Sequence, residues 1–193
     1  MKTTIAKLIL QPKTGERLKV LVDAEICKNG YQCDLNHIDV SLVTNFSGLF
    51  FNSAFNGDIS KWDVSRADVM YGMFACSSFT GDISRWNVSS VGIMSYMFKK
   101  SKFNGDISSW DVSGLKVMDE MFYESKFESD ISNWNLFSFL NSEDVFFNSK
   151  IAEKIGIKSP SFEQVKSHFL GLRLEVGLKD ASPEQGGLGK VRL

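Results

Sequence analysis

FNGDISKWDVSRADVMYGMFACSS (55–78), FTGDISRWNVSSVGIMSYMFKKSK (79–102) and FNGDISSWDVSGLKVMDEMFYESK (103–126) are three consecutive versions of one 24-residue unit. The same register carried backward opens a unit at Tyr31, and carried forward one at Phe127, so five units fill residues 31–150. The columns are strict. Position four is Asp34, Asp58, Asp82, Asp106 and Asp130, and position five is always Leu or Ile. Position eight is Ile38, then Trp62, Trp86, Trp110 and Trp134; position twenty is Phe50, Phe74, Phe98, Phe122 and Phe146; position twenty-three is always Ser. One residue type recurring at a fixed period means like side chains stacking between neighbouring coils, since a single unit this short cannot bury its own apolar face. The sixteen Phe and four Trp are therefore read as core ladders rather than as an exposed platform for stacking bases.

Two periodicities lie inside each unit. Trp-x-Val at positions eight and ten alternates, which suits a short strand with both residues inward. Positions thirteen, sixteen, nineteen and twenty, as in Val91, Met94, Met97 and Phe98, mark one face of a helix of two turns. The Gly-Asp of GDIS reads as a tight turn with the Asp capping backbone N–H groups. The fold class that follows is an α/β repeat solenoid, with a short parallel sheet along one side and short helices along the other.

The unit FNGDISxWDVS…MxxMF, with its Ile59-x-x-Trp62-x-Val64 spacing, resembles the repeat of the BspA-like leucine-rich repeat proteins of bacteria, from Tyr31 to about Lys150. The resemblance implies a leucine-rich-repeat-like right-handed coil, protein binding or adhesion, and no enzymatic activity. Where ordinary leucine-rich repeats bury an Asn, this chain has Ala67, Val91 or Leu115, so the usual Asn ladder is missing.

A stack of coils needs caps at its open ends. In residues 1–30 the alternating stretches Ile5–Leu10 and Leu18–Val22 flank Pro12-Lys13-Thr14-Gly15 and are read as a β-hairpin cap. In residues 151–180, Ser161-Phe162-Glu163-Gln164 fits a capping box that starts a helix running to about Leu170, and Leu172, Leu174, Val176 and Leu178 alternate as a possible strand. Residues 181–193 are Gly-rich and polar and are expected to be flexible.

Composition narrows the function. Residues 31–150 hold nine Lys and Arg against fifteen Asp and Glu, and the flanks hold thirteen against eight. An acidic repeat block does not suit nucleic acid, where a basic stripe is expected, and fits a protein partner with a basic surface. No run spans a bilayer, and no secretory signal is evident in residues 1–10, so the expectation is a cytoplasmic protein, with a surface or secreted one as the alternative. His37 occupies a variable repeat position and His168 the C-terminal helix, neither beside a recognisable nucleophile, so no catalytic residue is assigned. Cys27, Cys33 and His37 match no zinc spacing and read as free thiols and a surface His, and the Asp column is read as turn capping rather than calcium binding. No metal and no cofactor are expected.

These readings point to a non-enzymatic protein-binding module of the inhibitor, immunity or effector kind, with a surface adhesin as the alternative and an enzyme as a third reading. Strand alternation turns positions seven and nine outward onto the face that leucine-rich repeats make concave. That face carries His37, Lys61, Arg85, Ser109 and Asn133 in one row and Asp39, Asp63, Asn87, Asp111 and Asn135 in the next. The second row is regular enough to be a structural ladder instead. The convex side offers the rival surface Tyr71, Tyr96, Lys99, Lys100 and Tyr123, exposed Tyr being typical of interface anchors.

Overall fold

The computed structural model of the chain describes residues 11–136 and 142–180, with the side chains of 177–180 aside. Its helices are α1 (Gly15–Asn29), α2 (Lys150–Ile155) and α3 (Phe162–Asp180), all outside or at the edge of the repeats. The repeats are stacked coils built almost wholly of turns. This corrects the expected α/β architecture: the described residues contain neither a parallel sheet nor a helix within coils 31–149, and between coils they hold only isolated parallel bridges, Asp34 to Asp58 and Asn45 to Val69 to Ile93 to Val117.

The reason lies in two backbone columns. Position eighteen (Gly48, Gly72, Tyr96, Glu120, Asp144) and position twenty-two (Asn52, Cys76, Lys100, Glu124, Asn148) all have φ between 47° and 62°. A left-handed residue every fourth position stops a right-handed helix from propagating. The apolar spacing that imitates a helix instead marks successive turns, in which Met73, Ala75 and Ser77 each donate three residues back, to Met70, Gly72 and Phe74. The intervening amides leave the coil. Met70, Gly72, Phe74 and Cys76 donate to the carbonyls of Ile93, Ser95, Met97 and Lys99 at 2.7–2.9 Å. The ladder between coils thus runs along positions fifteen to twenty-two. At the expected strand, the Trp62, Trp86, Trp110 and Trp134 amides turn back three residues to Ile59, Ile83, Ile107 and Ile131.

The core consists of side-chain columns. Phe50, Phe74, Phe98, Phe122 and Phe146 stack with centroids 5.5–5.7 Å apart and planes within 8° of parallel. Phe55, Phe79, Phe103 and Phe127 form a second column at 6.2–6.4 Å. The tryptophans form a third, at most 4% exposed. Each indole N–H donates to the carbonyl of position five in the preceding coil: Trp62 to Leu35, Trp86 to Ile59, Trp110 to Ile83 and Trp134 to Ile107, at 2.9–3.2 Å. A side chain bonded to its neighbour's backbone at every rung ties the coils together as an Asn ladder would.

The caps differ from their sequence reading. Leu18–Val22 is not a hairpin strand but part of α1, with Leu18 and Val22 fully buried and Val20 60% exposed. Alternation cannot separate Leu18, Val20 and Val22 in a strand from Leu18 and Val22 one helical turn apart, and Thr14, accepting from the Arg17 amide, starts the helix. The other proposed strand, Ile5–Leu10, lies outside the described residues. The Ser161–Gln164 capping box forms reciprocally, at 2.8 and 3.2 Å. The helix it starts does not stop at Leu170: the residues read as a possible strand, Leu172 to Leu178, continue α3. Phe162, Val165 and Phe169 of α3 cover the last coil. The expected flexible tail, 181–193, also lies outside the described residues.

Candidate functional site

Around the buried Trp and Val, exposure alternates although no strand forms, so the two proposed rows do face solvent. His37, Lys61, Arg85, Ser109 and Asn133 are all exposed. Their side chains are lightly held. Ser109 Oγ donates to the Ser84 carbonyl at 3.1 Å, and Asn133 Oδ1 accepts from Arg173 at 3.2 Å. His37 Nε2 lies 3.7 Å from Glu25 of α1.

The second row is a turn ladder. Asp39, Asp63, Asn87 and Asp111 each accept the amide of the Ser two residues on through Oδ1, at 3.0–3.2 Å. Asn135 is exposed, and the residue it would cap lies outside the described residues. The position-four aspartates do the same for Asn36, Ser60, Ser84, Ser108 and Ser132, at 2.7–2.9 Å. The Ser60, Ser84 and Ser108 amides hold the carboxyls of Asp58, Asp82 and Asp106 below their ordinary values, because they bond the charged form. The Ser113 hydroxyl and amide act likewise on Asp111. The position-four column thus combines a local structural role with a repeated negative charge, and the second row does so where it carries Asp.

The rival surface lies on the turns, not on helices. Tyr71 is 48% exposed, Tyr96 and Tyr123 are half-buried, and Lys100 is exposed. Tyr71 meets Tyr96 edge-on at 5.1 Å, and Tyr123 stacks on Phe147 at 4.8 Å. Lys99 Nζ sits 4.9 and 4.6 Å from the Tyr96 and Tyr123 ring centres and pairs with Glu120. Lys100 pairs with Glu124 at 3.3 Å. Lys99 and Lys100 are therefore both occupied within the chain. Phe51, 60% exposed, and Phe147, under Lys158 at 4.8 Å, extend the stripe; sequence reading missed both. The signal was available, since Phe51, Tyr123 and Phe147 share position twenty-one.

His37 and His168 are not gathered with a nucleophile: His168 meets Phe169 edge-on at 5.4 Å on α3. Cys27, Cys33 and Cys76 are free thiols, and burial raises that of Cys33. Among the described residues no group of His, Cys, Asp and Glu is placed to hold a metal ion, and no helix is long and apolar enough to cross a membrane.

No curated protein and no solved structure matches the chain. A family model described as "Mycoplasma protein of unknown function, DUF285" matches residues 24–102 and again 70–158. The second match begins within the first, as expected where a model finds the same periodic unit twice. Together they take in the last turn of α1, all five coils and α2, well over half of the 193 residues, and the chain belongs to that family.

Proposed function

We propose that the protein is a non-enzymatic protein-binding module, of the inhibitor, immunity or effector kind, working through the exposed row at position seven. One observation carries this reading. His37, Lys61, Arg85, Ser109 and Asn133 change chemistry from coil to coil, while the columns on either side repeat because they make turns. A column that makes no turn of its own and varies in charge is where specificity for a partner can be written. Stacked coils extend such a row into a surface long enough for a protein. The acidic balance of residues 31–150 supports a partner whose surface is basic overall, with acidic groups of that partner set against Lys61 and Arg85.

A second reading has its own support: Tyr71 and Phe51 leave large aromatic surface open on the turn side. Charge reversal separates the two. With a partner isolated from the source cell, Lys61→Glu with Arg85→Glu should weaken binding without lowering the melting temperature. If that double variant binds normally while Tyr96→Ala with Tyr123→Ala abolishes binding, the turn side is the site. If no protein partner is retained under any condition, the binding reading itself falls.

A further inference from the structure

We propose that Asp106 and Ser109, on the fourth coil, form the seat of an arginine side chain supplied by a protein partner. This rests on the protein-binding reading above and specifies its chemistry. The inference starts from the charges that neighbour the position-four aspartates. Asp130 is paired directly with Arg173, reaching over from α3, while Asp58 and Asp82 feel the positive charges of Lys61 and Arg85 at longer range. Asp106 has Ser109 at the corresponding position, and the charges acting on its carboxyl are those of Asp82 and Asp130, both negative. The fourth rung, like the first with His37, thus carries neither the Lys or Arg of the second and third rungs nor the Arg173 of the fifth.

The fifth rung shows how such a cation would sit. Arg173 places Nε 3.1 Å and Nη2 2.7 Å from Asp130 Oδ2, and Nη1 3.2 Å from Asn133 Oδ1. Asp130 Oδ1 is meanwhile taken by the Ser132 amide at 2.8 Å. Asp106 repeats the arrangement, with Oδ1 taken by the Ser108 amide at 2.9 Å and the Ser108 hydroxyl beside its carboxyl as that of Ser132 is beside Asp130's. Ser109 Oγ gives its proton to the Ser84 carbonyl, which leaves its lone pairs to accept, at the repeat position that Asn133 fills on the fifth rung. Two acceptors from one rung match the planar fork of a guanidinium better than the single ammonium of lysine.

Titration with N-acetyl-arginine amide, followed by the backbone amide resonances, tests this. Saturable shifts at Ser108 and Ser109 are expected, larger than those at Ser60 and Ser84, and larger than N-acetyl-lysine amide produces. Asp106→Asn should abolish them without disturbing the turn, since Asn87 accepts the equivalent amide elsewhere in the stack. Arg173→Ala should add a second saturable set at Ser132 and Asn133. Shifts spread evenly down the Asp column, shifts that survive Asp106→Asn, or no second set in Arg173→Ala would each overturn the seat. A partner released by the Lys61 and Arg85 reversals but indifferent to Asp106→Asn would leave the binding reading standing and remove only the arginine.

Discussion

The left-handed columns are the residue-scale feature on which the fold turns. Gly72 has φ +58°, and a Cβ built there meets nothing nearer than Ala75 Cβ at 4.0 Å. Gly72→Ala therefore isolates backbone strain from crowding and should cost about 1 kcal/mol in a denaturant titration. Cys76 is exposed with φ 57°, so Cys76→Gly should gain about 0.5 kcal/mol, the relieved strain outweighing the greater freedom of the unfolded chain. If both changes move stability in the same direction, strain does not govern these positions. The sequence holds hints of these columns in Gly48, Gly72, Asn52 and Asn148, residue types that tolerate positive φ. Tyr96, Lys100, Glu120 and Glu124 in the same columns concealed them, because tertiary pairing between coils overrides local preference there. The aspartates were more legible, since an Asp two residues before a Ser or Asn at a turn has a local acceptor role that needs no knowledge of the fold. Their depressed carboxyls have a consequence in acid. A group whose folded value lies below its unfolded value contributes stability that is present above the unfolded value, about 3.9 for Asp, and is lost as pH falls through the folded one. Replacing Asp58, Asp82 and Asp106 together with Asn keeps the acceptors and removes the titration. The loss of melting temperature below about pH 4 should then become shallower, and an unchanged acid limb would exclude these groups from it.

At the scale of elements, what was legible depended on whether a signal was local. The capping box was, because Ser161 and Gln164 complete each other within one turn, and Ser161→Ala should cost about 1 kcal/mol by thermal melt. The N-terminal cap was not, because Leu18 and Val22 satisfy both a two-residue and a near-four-residue period; burial against the first coil decides in favour of α1. The length of α3 was hidden for a similar reason, since Leu172, Leu174, Val176 and Leu178 at every second position resemble a strand until their helical continuation is seen. The tryptophan column was read as core, correctly, but its hydrogen bonds were beyond sequence. They require that the indole of one coil reach the carbonyl 27 residues earlier, a relation set by the rise between coils. Ile83 O accepts both the Trp86 amide and the Trp110 indole, so Trp110→Phe leaves it half satisfied rather than orphaned. The lost bond and the smaller ring together should cost about 2 kcal/mol. A cost under about 0.5 kcal/mol by chemical denaturation would show that the indole bond adds nothing.

For the whole molecule, stability follows from coils held in register by two systems at once. The amide ladder along positions fifteen to twenty-two fixes the rise from coil to coil, and the Phe, Phe and Trp columns fill the interior at that rise. Phe98 stands where the columns meet. It stacks between Phe74 and Phe122 at 5.7 Å each, lies 4.3 Å from Phe103, and reaches Trp110 at 6.5 Å. Removing that ring leaves a gap with rings above and below that cannot close onto each other. The Phe98 amide bonds Met121 and the Phe74 amide bonds Met97, both at 2.9 Å, so approach of the flanking coils would break the ladder. The cost of a large-to-small change depends on how far its surroundings can collapse, and here they can collapse little. Phe98→Ala should therefore fall toward the upper part of the usual range, about 3–5 kcal/mol. Phe146→Ala, in the last coil, loses a stacked neighbour on one side only, and α2 can shift to fill the space, so it should cost less. Denaturant titration of the two variants checks the order. A cost below about 1 kcal/mol for Phe98→Ala, or a larger one for Phe146→Ala, would mean that the ladder rather than the ring columns holds the coils together.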